Sequence, residues 1–202
     1  MKVLRAADPL MAELIDRFGR PDDVRAARGR PGDAYGALVR AIVGQQLSTK
    51  AARSIYERLE EYFGGHTPTP KELLEADPEE MRAAAGLSRA KVSFLRDLAE
   101  HVEDGELLLE RLAELPDEEV TEHLTAIKGL GPWTVHMFLI FHLGRPDVLP
   151  VGDLGIRRAV QVLHGLAELP TPADLERIAE PWRPHRSLAS LYLWRSLDNE
   201  PA

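Results

Sequence analysis

The 202-residue sequence contains no cysteine, which removes disulfides, cysteine nucleophiles, zinc fingers and iron–sulfur clusters together. It has no apolar run approaching the ~18 residues of a transmembrane helix. Its first residues, MKVLRAADPLMAEL, lack the apolar stretch and small-residue cleavage site of a signal peptide. The absence of cysteine fits a cytoplasmic protein, and no membrane partner is expected. No HExxH or similar ligand spacing occurs. His136 and His142 lie six apart and off a common helix face, so no catalytic transition metal is expected. No GxSxG, Walker or Ser/His/Asp order supports acyl hydrolysis or nucleotide hydrolysis. Positive charge is scarce as well. The formal net charge of −8 argues at first sight against a nucleic-acid partner, because neutralising phosphates takes Lys and Arg.

What is present reads as helix almost throughout. Alternating β-branched stretches bounded by turns are missing, so the fold class is all-α. Helical spacing predicts Ala34–Leu47, followed by a run capped by Ser48 that turns Ile55, Leu59, Tyr62 and Phe63 inward and stops at Gly64-Gly65. Short helices open at Thr69-Pro70 and at Asp77-Pro78, the second ending at Gly86, and Ser88 caps a longer one carrying Val92, Leu95, Leu98, Ala99 and Val102. Further helices are expected over Glu106–Ala113, Asp117–Ile127, Pro132–Leu143, Leu154–Leu163, Pro172–Ala179 and Pro184–Leu197. An N-terminal helix joins the body through the polar stretch Gly19–Asp33, and residues 144–153, GRPDVLPVGD, form a second helix-free connection. These connections suggest one helical lobe over 32–145 and a second built from 1–31 plus 146–202.

The charge is uneven. Residues 60–123 hold 18 acidic and 6 basic side chains, whereas the remainder holds 15 acidic and 19 basic. The remainder is therefore net basic. Arg17, Arg20, Arg25, Arg28, Arg30, Lys50, Arg53, Lys128, Arg157 and Arg158 are the candidate sources of a local basic surface. The Glu-rich stretch Glu103–Glu122 reads as a solvated face turned away from such a partner. The densest pattern is LTAIKGLGPWTV at 124–135, a helix, a Gly-x-Gly turn and a helix beginning with proline. Gly129 and Gly131 remove side chains so that a phosphate backbone can approach, and amides at the next helix start can donate to an anion. A helix–hairpin–helix grips DNA phosphates in this way without reading bases. An ordinary αα-hairpin with two turn glycines fits the same residues. Asp153, after Gly152 and before a helical run, is a helix N-cap in its simplest reading, and a helix N-terminus also favours a negative charge beside a cleft.

The stretch from AIVGQQLS at 41–48 to Trp194, with LxxIKGLGPWTV followed by VLPVGDLGIRRAV, resembles the helix–hairpin–helix DNA glycosylase superfamily, in particular its alkylpurine branch, DNA-3-methyladenine glycosylase II (AlkA-like). The resemblance covers about three quarters of the chain. It implies two helical lobes with the active-site cleft between them, and excision of alkylated bases of the 3-methyladenine and 7-methylguanine type from duplex DNA by a monomeric enzyme at the bacterial nucleoid. It also implies a role for each matching residue. Asp153 falls at the essential carboxylate. Trp133 stands where bifunctional relatives carry a lysine nucleophile, so no strand cleavage is expected. Gln46 or Leu47 falls where the family inserts a wedge beside the flipped nucleotide, and Trp194 matches a second pocket aromatic. Lys128, Gly129, Gly131 and Thr134 match the phosphate-binding turn. The carbonyls of Thr125, Ile127 and Leu130 match positions that hold a structural Na+ or K+, while catalysis needs no cofactor.

Some features depart from the family pattern. A chain of this length is expected to be a short form without the additional β-rich domain. Met137 and Leu154 replace pocket tyrosines, which implies a wider and less aromatic base pocket. Trp182, within Pro181-Trp182-Arg183-Pro184, reads as packing rather than pocket. Two other classes of function stay open on the residues alone. A non-catalytic helix–hairpin–helix module would recognise distorted DNA without releasing a base, and a helical adaptor would use the acidic face and show no salt-dependent DNA binding.

Overall fold

The computed structural model describes residues 1–19 and 34–198, which leaves Arg20, Arg25, Arg28, Arg30 and most of the Gly19–Asp33 connection outside the described residues. Among the described residues there are helices and turns but no strand, and no helix is long and apolar enough to cross a membrane. The chain divides into two compact units, Met1–Gly29 with Leu139–Ala202, and Arg30–Phe138.

The Arg30–Phe138 unit begins with α3 (Ala34–Gly44), which packs on α4 (Thr49–Tyr62) and α7 (Arg89–Glu103). Between them lie two short helices, α5 (Pro70–Glu75) and α6 (Pro78–Ala85), followed by α8 (Asp117–Thr125) and α9 (Pro132–Phe138). Local chemistry sets most of these boundaries. Ser48 and Ser88 accept from the third amide of their helices, Thr69 and Glu72 form a reciprocal capping box, and Asp77 caps α6 ahead of Pro78. Gly86 ends α6 in the left-handed conformation at φ +76. Within α4 the deeply buried residues are Tyr56 and Leu59, while Ile55, Tyr62 and Phe63 are only half-buried.

Two expected elements differ. Glu106–Ala113 is not an α-helix but a single 3-10 turn, Leu109–Arg111. Its buried leucines, Leu107 and Leu112, are five residues apart and cannot share one face of a short helix, and Pro116 leaves no length over which to recover the nucleation cost. The run Pro132–Leu143 is helical, but it widens into a π-helical turn over Leu139–Leu143 that carries three consecutive buried residues, Leu139, Ile140 and Phe141.

The other unit packs the N-terminal helices against those of the C-terminal segment. The N-terminal segment is two helices rather than one, α1 (Lys2–Ala7) and α2 (Pro9–Phe18). Asp8 breaks them because a residue before proline leaves the α region, and its side chain then caps α2. They pack with α10 (Leu154–Leu163), α11 (Pro172–Ala179) and α12 (Arg186–Asp198) around Leu4, Met11, Ile15, Ile156, Val160, Leu175, Trp182, Tyr192 and Leu193. Asp147 sets the start of α12, two residues later than Pro184, by accepting from the Arg186 amide and guanidinium. Trp182 is fully buried and donates its indole N–H to Asp8 at 2.7 Å, as packing rather than pocket. Trp182→Phe would leave a buried carboxylate oxygen without this donor. Urea unfolding of that variant is expected to show a loss of about 2 kcal/mol.

Candidate active site

In the Arg30–Phe138 unit, α8 and α9 flank the Gly-x-Gly turn as a helical hairpin. The Ile127 amide donates to the Leu124 carbonyl, the Leu130 amide donates to the Ile127 carbonyl, and the Gly131 carbonyl accepts from Val135 as α9 begins. Ile127 and Leu130 are buried and anchor the turn, whereas Lys128, Gly129 and Gly131 are exposed. The two glycines serve different ends. A Cβ at Gly131 would meet nothing within 4 Å, so that position is open to an approaching backbone. Gly129 has φ +82, and a Cβ there would overlap the Phe94 ring of α7. Its missing side chain is therefore taken up by Phe94, which corrects the expectation that both glycines clear space for phosphate. Thr134, expected on the phosphate-facing side, is buried, because the helical period turns it inward beside Val135.

Helix α7 fastens the turn at a second point. Asp97, only 6% exposed, accepts from the Lys128 amide at 2.8 Å and from its ammonium at 2.7 Å. Burial pushes the Asp97 carboxyl up, but these bonds outweigh it, so its pKa lies below the usual aspartate value, while Asp97 raises that of Lys128. The ammonium expected to meet phosphate is thus already paired within the protein. Because the folded-state pKa is depressed, this stabilisation is present above the unfolded value of ~4 and is lost as pH falls through the folded one. Asp97→Asn is expected to be less stable than the wild type by about 2 kcal/mol at pH 7, with the gap closing toward pH 3. Thermal unfolding across that range checks it.

Trp133 and Met137 are one turn apart on the same face of α9. Trp133 is exposed and Met137 half-buried. Gln46 and Leu47, the wedge candidates, are both exposed in the turn between α3 and α4.

In the unit containing Leu139–Ala202, Asp153 is the N-cap of α10. Its Oδ1 accepts from the Ile156 amide at 2.7 Å and from the Trp194 indole N–H at 3.0 Å, and the residue is 8% exposed. Cap and charge coincide in one carboxylate. Trp194 in turn stacks on Phe141, with ring centroids 5.6 Å apart and planes at 24°. A Cβ at Gly155 would lie 3.1 Å from Asp153 Oδ1 and 3.5 Å from Trp194 Cδ1, so this glycine makes room for the pair. Leu154, expected to line the base pocket, is 66% exposed at the first position of α10. Phe141 is the aromatic that the sequence reading missed. It lies two turns beyond Trp133, and only its contact with a residue 53 positions later marks it.

The candidate basic residues are partly engaged. Arg53 pairs with Glu57, Arg157 donates to the Pro170 carbonyl, Arg158 donates to Gln161, and Arg17 lies over the Phe18 ring, while Lys50 is exposed.

Residues 39–184 match the HhH-GPD superfamily of base excision DNA repair proteins. DNA-3-methyladenine glycosylase 1 of Schizosaccharomyces pombe is 42% identical over 166 residues, which covers 81% of this chain and 72% of that protein. Among solved structures, the Schizosaccharomyces pombe 3-methyladenine DNA glycosylase in complex with abasic DNA superposes with a TM-score of 0.84 at 37% identity, over 97% of this chain and 95% of that one. DNA-3-methyladenine glycosidase from Bacillus halodurans gives 0.85 at 37% identity, over 98% and 88%. The match spans the α8–α9 hairpin and the start of α10, and the chain belongs to the HhH-GPD superfamily of base excision DNA repair proteins.

Proposed function

We propose that the chain is a monofunctional DNA glycosylase, acting as a monomer, that hydrolyses the N-glycosidic bond of alkylated purines of the 3-methyladenine and 7-methylguanine type in duplex DNA. The observation that carries this reading is the Asp153 carboxylate, fixed by an amide of α10 and the indole of Trp194, in a chain that shares the hairpin and fold of alkylpurine glycosylases. The bond between C1′ and the base nitrogen breaks with its electron pair moving to the base, which was cationic and leaves neutral. Water forms the new bond to C1′, its proton passes to solvent, and an abasic sugar remains. Positive charge grows on the deoxyribose as the base departs, and a fixed carboxylate stabilises it without reorganising.

Trp194 is held by its bond to Asp153 and by Phe141, so its ring is oriented in advance. An aromatic face such as that of Trp194 favours a cationic base by about 0.5–2 kcal/mol per contact. Trp133 offers no amine for a Schiff base, so the reaction stops at the abasic site. The hairpin supplies the grip on phosphate through Gly131 and its neighbours, which lets an acidic protein bind DNA with few free cations. The carbonyls of Thr125, Ile127 and Leu130 are neutral oxygen donors with no carboxylate among them, a set that suits Na+ or K+ rather than a divalent ion. When bound there, such an ion supplies positive charge toward a DNA phosphate.

The test is treatment of methylated duplex DNA with the protein, followed by electrophoresis with and without alkali. Strand breaks that need alkali support the reading. Breaks without alkali would contradict a monofunctional enzyme, and no breaks under either condition would leave a DNA-binding module.

A further inference from the structure

The turn after α3 is held in a conformation it would not choose alone. Gln46 has φ +57 and is the only non-glycine residue with positive φ among the described residues. That conformation is uncommon for such a side chain and persists where its surroundings impose it. Two long-range bonds do so. The Gln45 side-chain Nε2 donates to the Gly129 carbonyl in the hairpin turn at 2.8 Å, and the Lys91 ammonium donates to the Val43 carbonyl at the end of α3 at 2.8 Å. Lys91, Phe94 and Asp97 follow one another at three-residue spacing on α7. The first holds the end of α3, the second fills the space beside Gly129, and the third holds Lys128. Gln45 closes this circuit by joining the two turns directly across 84 residues of sequence.

We propose that Gln45 is a positioning residue for base extrusion, its side-chain amide fixing the strained turn that carries Gln46 and Leu47 at a set offset from the phosphate-gripping hairpin. The inference rests on the glycosylase reading and adds to it the residue that links grip to wedge. A turn ordered before contact does not lose conformational freedom when a side chain enters the base stack, and a loose one does. The benefit arises only where a paired, stacked base has to be displaced.

The experiment compares wild type with Gln45→Met, which keeps the length of the side chain and removes the donor. Two methylated oligonucleotide duplexes are used, one with the lesion paired and one with it opposite an abasic-site analogue. Base release from the paired duplex is expected to fall about 10-fold, and from the unpaired one less than about twofold. An equal loss on both would mark a merely structural role and overturn the proposal, as would no loss on either. Gln45→Asn, too short to reach Gly129, is expected to repeat the pattern should Gln45→Met unfold. A second readout needs no catalysis. 2-Aminopurine beside an abasic-site analogue brightens when its neighbour is unstacked, and Gln45→Met is expected to need about 10-fold more protein for half the signal. Failure of wild type to release any base would sink the glycosylase reading, while the fluorescence midpoints still decide the role of Gln45. Equal midpoints would overturn it.

Discussion

Asp153→Asn is expected to lower base release by at least about 100- to 1,000-fold while leaving the protein folded and bound to DNA. The substitution is unusually clean here. Asparagine is as good an N-cap as aspartate, so its side-chain oxygen can still accept from the Ile156 amide, and the same oxygen can accept from the Trp194 indole. What disappears is the negative charge that the proposed mechanism sets against the sugar as it turns cationic. Removing one preorganised electrostatic group of this kind costs roughly 10²–10³ in rate in other enzymes. The folded state should change by less than about 1 kcal/mol. Asp153→Ala makes the contrast. It removes the cap as well as the charge and leaves the indole N–H without its acceptor, so stability should fall by about 1–2 kcal/mol together with activity. Thermal unfolding beside a base-release assay separates charge from cap.

The second large effect falls on the hairpin. Gly129→Ala is expected to destabilise the protein by about 2–5 kcal/mol and to weaken duplex binding by at least about 10-fold. Two costs add up: an L-residue at φ +82 is strained by about 1–2 kcal/mol, and the new methyl group runs into the Phe94 ring, an overpacking of about 1–3 kcal/mol. Gly131→Ala, with open space at its Cβ, should barely affect stability and report on phosphate access alone. Combining Gly129→Ala with Phe94→Ala relieves the collision but not the backbone strain. The double variant should therefore be more stable than the sum of the single losses predicts, as a double-mutant cycle in urea would show.

These expectations also mark where sequence stops being informative. Helices that open on a serine, threonine or aspartate cap were legible because the signal is local. Ser48, Thr69, Asp77, Ser88, Asp153 and Thr171 each bond to an amide two or three residues ahead. The Asp8-Pro9 break carries the same signal and was passed over. The missing helix after Glu106 shows the opposite case, a leucine-rich run whose burial pattern answers to its neighbours and not to a helical period. At the site, Asp153 and Trp194 could each be named from the family motif, but the bond between them joins residues 41 apart and exists only in the fold. Phe94, Asp97 and Gln45 could not be named at all. Each acts on the Lys128-Gly129 turn from 31 or more residues away, and no periodicity or cap records such a contact. Gly129 is the instructive residue. The need for glycine could be read from the motif, but not the reason for it, which is a phenyl ring on another helix.

The most direct test of the central claim is the amount of free 3-methyladenine and 7-methylguanine released from methylated duplex DNA, resolved by chromatography, for wild type and Asp153→Asn at equal and saturating binding. The account predicts both free bases from wild type and a loss of at least about 100-fold in the variant. Base release by Asp153→Asn at the wild-type rate would contradict the role of the carboxylate, and no release by wild type would contradict the enzyme itself.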